Sequence, residues 1–155
     1  MDASGTIGTD EEARAISQHL LDVTGAAYRN RDYAAFACNF VVPGDVHSFG
    51  GVRLVTDLAD LHDLFTEVMA YFDQIGLTSL ERDCVAAEFD GPDTVKATHV
   101  TRMMCGSALL SSPFPAFSLL RRIEGRWMIA SSQYATDDER LAKALGRSWE
   151  DRPCQ

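Results

Sequence analysis

Up to Gly76 most apolar residues recur at three- and four-residue spacing; from Leu80 onward they alternate. A helical period followed by a strand period puts helices before strands. That order predicts an α+β domain with helices on one face of an antiparallel sheet, and fits less well with folds that intersperse the two. The first helix, residues 10–28, opens on Thr9-Asp10-Glu11-Glu12, a capping box, and carries Ile16, Leu20, Val23 and Ala27 as one stripe. Asp32 is placed to cap a second, short helix with Phe36 and Phe40, ended by Pro43-Gly44. Gly50-Gly51 between residues 46–49 and 52–55 predicts a hairpin. Thr56 is read as the cap of a third helix with Leu58, Leu61, Phe65, Val68 and Phe72 on one face, closed by Gly76. Residues 80–89 and 94–105 read as strands around the turn Asp90-Gly91-Pro92-Asp93, and 116–123 and 126–134 as strands around Glu124-Gly125. Residues 106–115 read as a loop, and 137–145 as a final helix.

With 155 residues the chain has room for one domain, expected over 10–146 between a flexible tail at 1–9 and a tail at 147–155. It carries 23 Asp and Glu against 14 Lys and Arg, a net charge of −9, with no basic stripe, so nucleic acid and anionic lipid are not expected partners. No apolar run approaches the ~20 residues of a membrane-spanning helix. The first ten residues lack the basic start and apolar stretch of an export signal, and Cys38, Cys84, Cys105 and Cys154 form no C-x-x-C pair. Together these predict a cytoplasmic protein with free thiols. No Gly-rich phosphate loop, dinucleotide fingerprint or metal-ligand spacing is present, so neither cofactor nor metal is expected.

Alternation sorts the side chains of the 94–105 strand. Lys96, Thr98, Val100 and Arg102 share one face, and Val95, Ala97, His99, Thr101 and Met103 the other. Two cations mark the first face as the outer one, which turns His99, Thr101 and Met103 inward. A neutral imidazole among apolar neighbours is either a candidate general acid/base or a core histidine satisfied by a neighbour. Tyr28, at the end of the first helix, either offers its phenol to a ligand or packs. Ser48 alternates with Val46 and is expected to face inward, with His47 outward. Trp127 and Ile129 are expected in the core, and Ser131 and Gln133, further along the same face, are expected to line a pocket. Either Asp83 or Glu88 would point inward, since they fall on opposite faces of one strand. His19 and His62 are expected at helix surfaces.

Tyr28-x-x-x-Asp32, Phe36 and Phe40, the Pro43 hairpin, the capped third helix and the run from Leu119 to Ile129 (LLRRIEGRWMI) occur in an order that resembles the NTF2-like superfamily, most closely its SnoaL-like branch. The resemblance covers about residues 10–136. It implies a cone: a curved antiparallel sheet wrapped around the N-terminal helices, with a deep pocket. It also implies a hydrophobic small-molecule ligand and a homodimer through the outer sheet face, where alternation places Val100, Leu120, Met128 and Tyr134 beside Arg102 and Arg122.

The superfamily holds both enzymes and binding modules, so the site must decide between them. Resemblance to ketosteroid isomerases fails at the chemistry: Ser48 stands where they carry a carboxylate base, and the position of their carboxylic acid falls around Ala116 and Phe117. Resemblance to scytalone dehydratase goes further, with Tyr28 matching a pocket tyrosine and His99 a catalytic histidine. Arg29, however, replaces the aspartate that orients that histidine, Ser48 replaces a second tyrosine, and Ser79 falls where a second histidine would be. The Asp-Arg-Asp arrangement of limonene epoxide hydrolase would fall on His99 and Thr101 at two of its three positions. Two functions follow as expectations. One is a cofactor-independent isomerase, cyclase or lyase using His99 with Tyr28 on a polyketide-, steroid- or aromatic-like substrate. The other is a non-catalytic ligand-binding or dimerisation module with the same pocket.

Overall fold

The computed structural model describes residues 7–145; residues 1–6 and 146–155, most of the two expected tails and Cys154 among them, lie outside the described residues. Helix α1 runs Asp10–Arg29 and starts on the expected capping box: Thr9 Oγ1 accepts from the Glu12 amide, and the Glu12 carboxylate accepts from the Thr9 amide. Helix α2, Tyr33–Ala37, is capped by Asp32 as expected. Strands β1 (Phe40–Ser48) and β2 (Gly51–Val55) form the expected hairpin. Phe40, Pro43 and Gly44, expected at the end of the short helix, belong instead to β1. Helix α3, Leu58–Ile75, is capped by Asp57 rather than Thr56, because the Asp57 carboxylate reaches the Asp60 amide while Thr56 donates to Asp60. Gly76 closes it in the left-handed region, φ 73°, where a Cβ would be strained.

The remaining chain is β3 (Ser79–Phe89), β4 (Thr94–Cys105), the two-residue β5 (Ala108–Leu109), β6 (Phe114–Ile123), β7 (Arg126–Tyr134) and helix α4 (Glu139–Leu145). Glu124 and Gly125 both take positive φ, 51° and 81°, the requirement of a two-residue turn between twisted antiparallel strands. The strands form one sheet in the order β2-β1-β7-β6-β4-β3, with β5 on β4. Every pairing is antiparallel except β1 with β7, which is parallel. No helix among the described residues is long and apolar enough to cross a membrane.

Two β-bulges decide which side chains reach the interior, since one extra residue reverses the alternation beyond it. On β3 the extra residue is Val85, between the pairs Cys84–His99 and Ala86–Thr98. On β7 it is Ala130, between Ile129, paired with Leu120, and Ser131, paired with Leu119. There β1 lies close: a Cβ on Gly44 would stand 2.7 Å from the Val41 carbonyl oxygen and 2.9 Å from that of Ala130.

Two apolar clusters fill the concave side. Ala13 and Leu20 of α1 pack with Ala87, Val95, Ala97 and Leu120, joined by Trp127 and Ile129. The second cluster is built on α3, with Leu61, Phe65, Val68 and Phe72 against Phe36, Met103, Phe114, Leu141 and Leu145. Leu58, expected on the apolar face of α3, is exposed.

Candidate functional site

Along β4 the inward side chains are Val95, Ala97, His99, Thr101 and Met103, all buried, as the sequence predicts. Ala97 belongs to the α1 cluster and Met103 to the α3 cluster, so His99 and Thr101 lie between two apolar regions. His99 is 1% exposed, and neither ring nitrogen has a hydrogen-bond partner; Thr101 Oγ1 has none either. An unpaired buried polar group costs stability, so each such group in a folded protein calls for a reason. Burial, and then the positive charge of Arg82, push the His99 pKa down to about 3. The imidazole is therefore neutral at physiological pH, with one N–H to donate and one nitrogen to accept.

Beside Thr101 a cavity of about 30 Å³ is lined by Tyr28, Phe72, Arg82, Met103, Phe114 and Tyr134, with Leu141 and Leu145 of α4 forming part of its wall. That volume suffices for a water molecule. Tyr28 stacks on Phe65 with ring centroids 5.7 Å apart and meets Phe72 edge-on at 5.5 Å. Its phenol is pushed above the ordinary value, by burial and then by Tyr134, with Arg82 opposing. Tyr134 meets the His99 ring edge-on, centroids 6.3 Å apart. An outer cleft of about 190 Å³, between the C-terminal ends of α1 and α3, shares Tyr28, Phe72 and Leu80 with the cavity. Arg31 and Asp73 pair across the rim of this cleft.

The structure brings Tyr28, Thr101 and Met103 together on the cavity and sets His99 next to Thr101. Ser48 donates to the Ala142 carbonyl oxygen at 2.6 Å, anchoring α4 instead of lining the cavity. Ser131 and Gln133 lie on the outer face, opposite to expectation, because the bulge at Ala130 reverses their parity; Ser131 donates to Asp45 there. The same bulge turns Ser132 and Tyr134 inward. Leu120, expected outside with Tyr134, is also inside, and Phe117 and Leu119 take the outer positions on β6. Neither Asp83 nor Glu88 faces inward: the bulge at Val85 puts both outside, where Asp83 pairs with Arg102 at 3.4 Å.

Arg82 is the inward residue that sequence reasoning missed. It shares parity with Leu80 and Cys84, a signal that alternation from the apolar Leu80 carries. His19 and His62 are exposed on helices, as expected. Among the described residues no three His, Cys, Asp or Glu side chains come together as a metal site needs.

Solved structures share this fold. The chain is similar to a protein of unknown function with a cystatin-like fold from Nostoc punctiforme, at TM-score 0.65 and 14% identity, over 86% of this chain and 97% of that one. It is also similar to an NTF2-like protein of unknown function from Shewanella oneidensis, at TM-score 0.59 and 13% identity over 79% and 98% of the two chains. A third, an NTF2-like protein of unknown function from Pseudomonas putida, gives TM-score 0.61 and 16% identity over 90% and 97%. No protein-family model matches the sequence, and no curated protein is significantly similar to it. These likenesses show the NTF2-like, cystatin-like α+β cone.

Proposed function

We propose that the protein is a SnoaL-like pocket protein that binds a small hydrophobic molecule without transforming it, using His99 and Thr101 as neutral hydrogen-bonding groups. The observation that carries this reading is the pair of buried, unpartnered side chains on the inner face of β4. An apolar space with a few converging polar groups is the usual form of a small-molecule site. Acid/base work with His99 and Tyr28 is disfavoured. An imidazole titrating near 3 is a weak base at neutral pH, no carboxylate among the described residues bonds to it to set its tautomer, and the Tyr28 phenol holds its proton.

Native mass spectrometry of freshly purified protein is expected to show a bound small-molecule mass that disappears on denaturation. Protein-induced line broadening of 4-methylphenol at millimolar concentration is expected alongside it, and His99→Leu should weaken that binding about 5- to 10-fold, the worth of one hydrogen bond. No co-purified mass together with no broadening overturns the reading.

We further propose a homodimer through the outer sheet face. Supporting it, Phe117 is 45% exposed there, beside a groove that it forms with Leu119, Ala86 and Thr98. Arg102 and Arg122 need no partner subunit, being paired with Asp83 and Asp93. Light scattering is expected to give about twice the 17.0 kDa chain mass, and Phe117→Glu to return it to one chain. A single-chain mass for the unmutated protein at micromolar concentration refutes the dimer.

A further inference from the structure

Among the described residues the cavity is lined by one charged side chain, and it is a cation in a protein of net charge −9. Arg82 is the cross-strand partner of Thr101, and its guanidinium carbon lies 5.9 Å from the Tyr28 ring centroid. Nη2 donates to the Leu21 carbonyl oxygen and to Thr24 Oγ1, both at 2.8 Å. Those two contacts fix the side chain to α1. Nε and Nη1 have no partner among the described residues, and no carboxylate there makes an ion pair with it. The two other described cations that are not surface-exposed do have such partners, Arg53 with Glu67 and Arg102 with Asp83.

A half-buried guanidinium held in place, with donors to spare and no counter-charge, favours a ligand that brings the charge. The surroundings agree. After burial, the positive charge of Arg82 is what lowers the His99 pKa, and it also opposes the rise of the Tyr28 phenol that burial and Tyr134 cause, so its field reaches both groups. Among the described residues the one carboxylate on the adjoining cleft, Asp73, is taken by Arg31. Thr101 adds an unpartnered hydroxyl on the neighbouring strand.

We infer that the molecule bound in this pocket is an anion, a monocyclic aromatic or short-chain aliphatic carboxylate, with its oxygens at Arg82 and Thr101 and its apolar body among Phe72, Leu80 and Met103. The inference rests on the pocket-binding reading and adds the charge of the ligand. The cavity and the outer cleft, about 30 and 190 Å³, set the size class.

The test compares isosteric pairs, phenylacetate with phenylacetamide and octanoate with octanamide, by calorimetric titration of the full chain at pH 7.5. The carboxylates are expected to bind about 10-fold or more tightly than their amides, as a charge-assisted hydrogen bond implies, and to weaken as salt is raised. Arg82→Met should erase the difference within each pair, and Arg82→Lys should keep most of it. Amides binding as tightly as acids overturn the inference, and so does a preference that survives Arg82→Met. If Arg82→Met fails to fold, the pairs on the unmutated protein and on Arg82→Lys decide. Binding of 4-methylphenol without either carboxylate removes the anion and leaves the pocket. Loss of all probes, with no co-purified mass, removes both.

Discussion

Replacing His99 with leucine is expected to stabilise the ligand-free protein by about 1–3 kcal/mol at pH 7, the cost of leaving a buried polar group unpaired. Leucine is close in volume to histidine, and the flanking Ala97 and Met103 belong to apolar clusters that it can extend. For a domain of this size each kcal/mol raises Tm by about 2–4 °C. The gain should grow in acid. In the unfolded chain the imidazole takes a proton near pH 6.5, but the folded protein resists it down to about pH 3, through burial and then Arg82. Between those values the unfolded state binds more protons, so stability falls as pH falls through the window, by about 2 kcal/mol at pH 5 from this group alone. Below about pH 3 His99 adds no further loss. Asp60 and Asp138, whose carboxyls are held below the ordinary carboxylate value, titrate alike in both proteins and so do not alter the comparison. Urea unfolding at pH 7 and pH 5 should therefore show the leucine variant ahead at both, and further ahead at pH 5. A variant less stable than its parent at pH 7 would falsify the reading of His99 as an unsatisfied group, as would equal losses on acidification.

Arg53→Met is expected to cost about 3 kcal/mol and to loosen α4. Arg53, on β2, is 7% exposed. Its guanidinium forks onto Glu67 at 2.9 and 3.0 Å and donates to the Ala144 carbonyl oxygen at 2.8 Å. Methionine keeps the stem and removes all three contacts. The other ties of α4 are weaker in charge: Ser48 to Ala142, and Tyr71 to Asp138 at 2.6 Å ahead of the helix. Amide hydrogen exchange over residues 139–145 should accelerate much more than exchange in β4, because Leu141 and Leu145 then leave the cavity wall. A loss under 1 kcal/mol with unchanged exchange in α4 would show that Arg53 does not hold the helix.

Where local chemistry sets the structure, the sequence was readable. Thr9 and Glu12 announce a helix start, Gly76 a helix end, and Lys96 with Arg102 orient β4 well enough to turn His99 inward. Register was the difficulty. A bulge leaves no signature in composition, and Val85 and Ala130 are ordinary strand residues whose extra position appears only against a partner strand. From those two positions follow the outward Ser131, Gln133 and Glu88 and the inward Tyr134. On β6 the adjacent Leu119 and Leu120 offer no alternation to read, so either parity fits the sequence. Pro43 reads as a helix stop, yet it sits in β1, exposed.

The parallel pairing of β1 with β7 bears on the order in which this protein can be made. The β1–β2 hairpin is complete once residue 55 has been synthesised, but the strand it docks on spans Arg126–Tyr134. A nascent chain emerging N-terminus first therefore carries β1 without its neighbour while α3, β3, β4 and β6 are still being added. Its free edge and the apolar residues beside it, Phe40 and Val46 among them, stay open through most of translation. Closure of the sheet must wait for nearly the last strand, and contacts so distant in sequence form slowly. Ending the chain before residue 126 would remove β7 and leave the β1–β2 hairpin without the strand that joins it to β6.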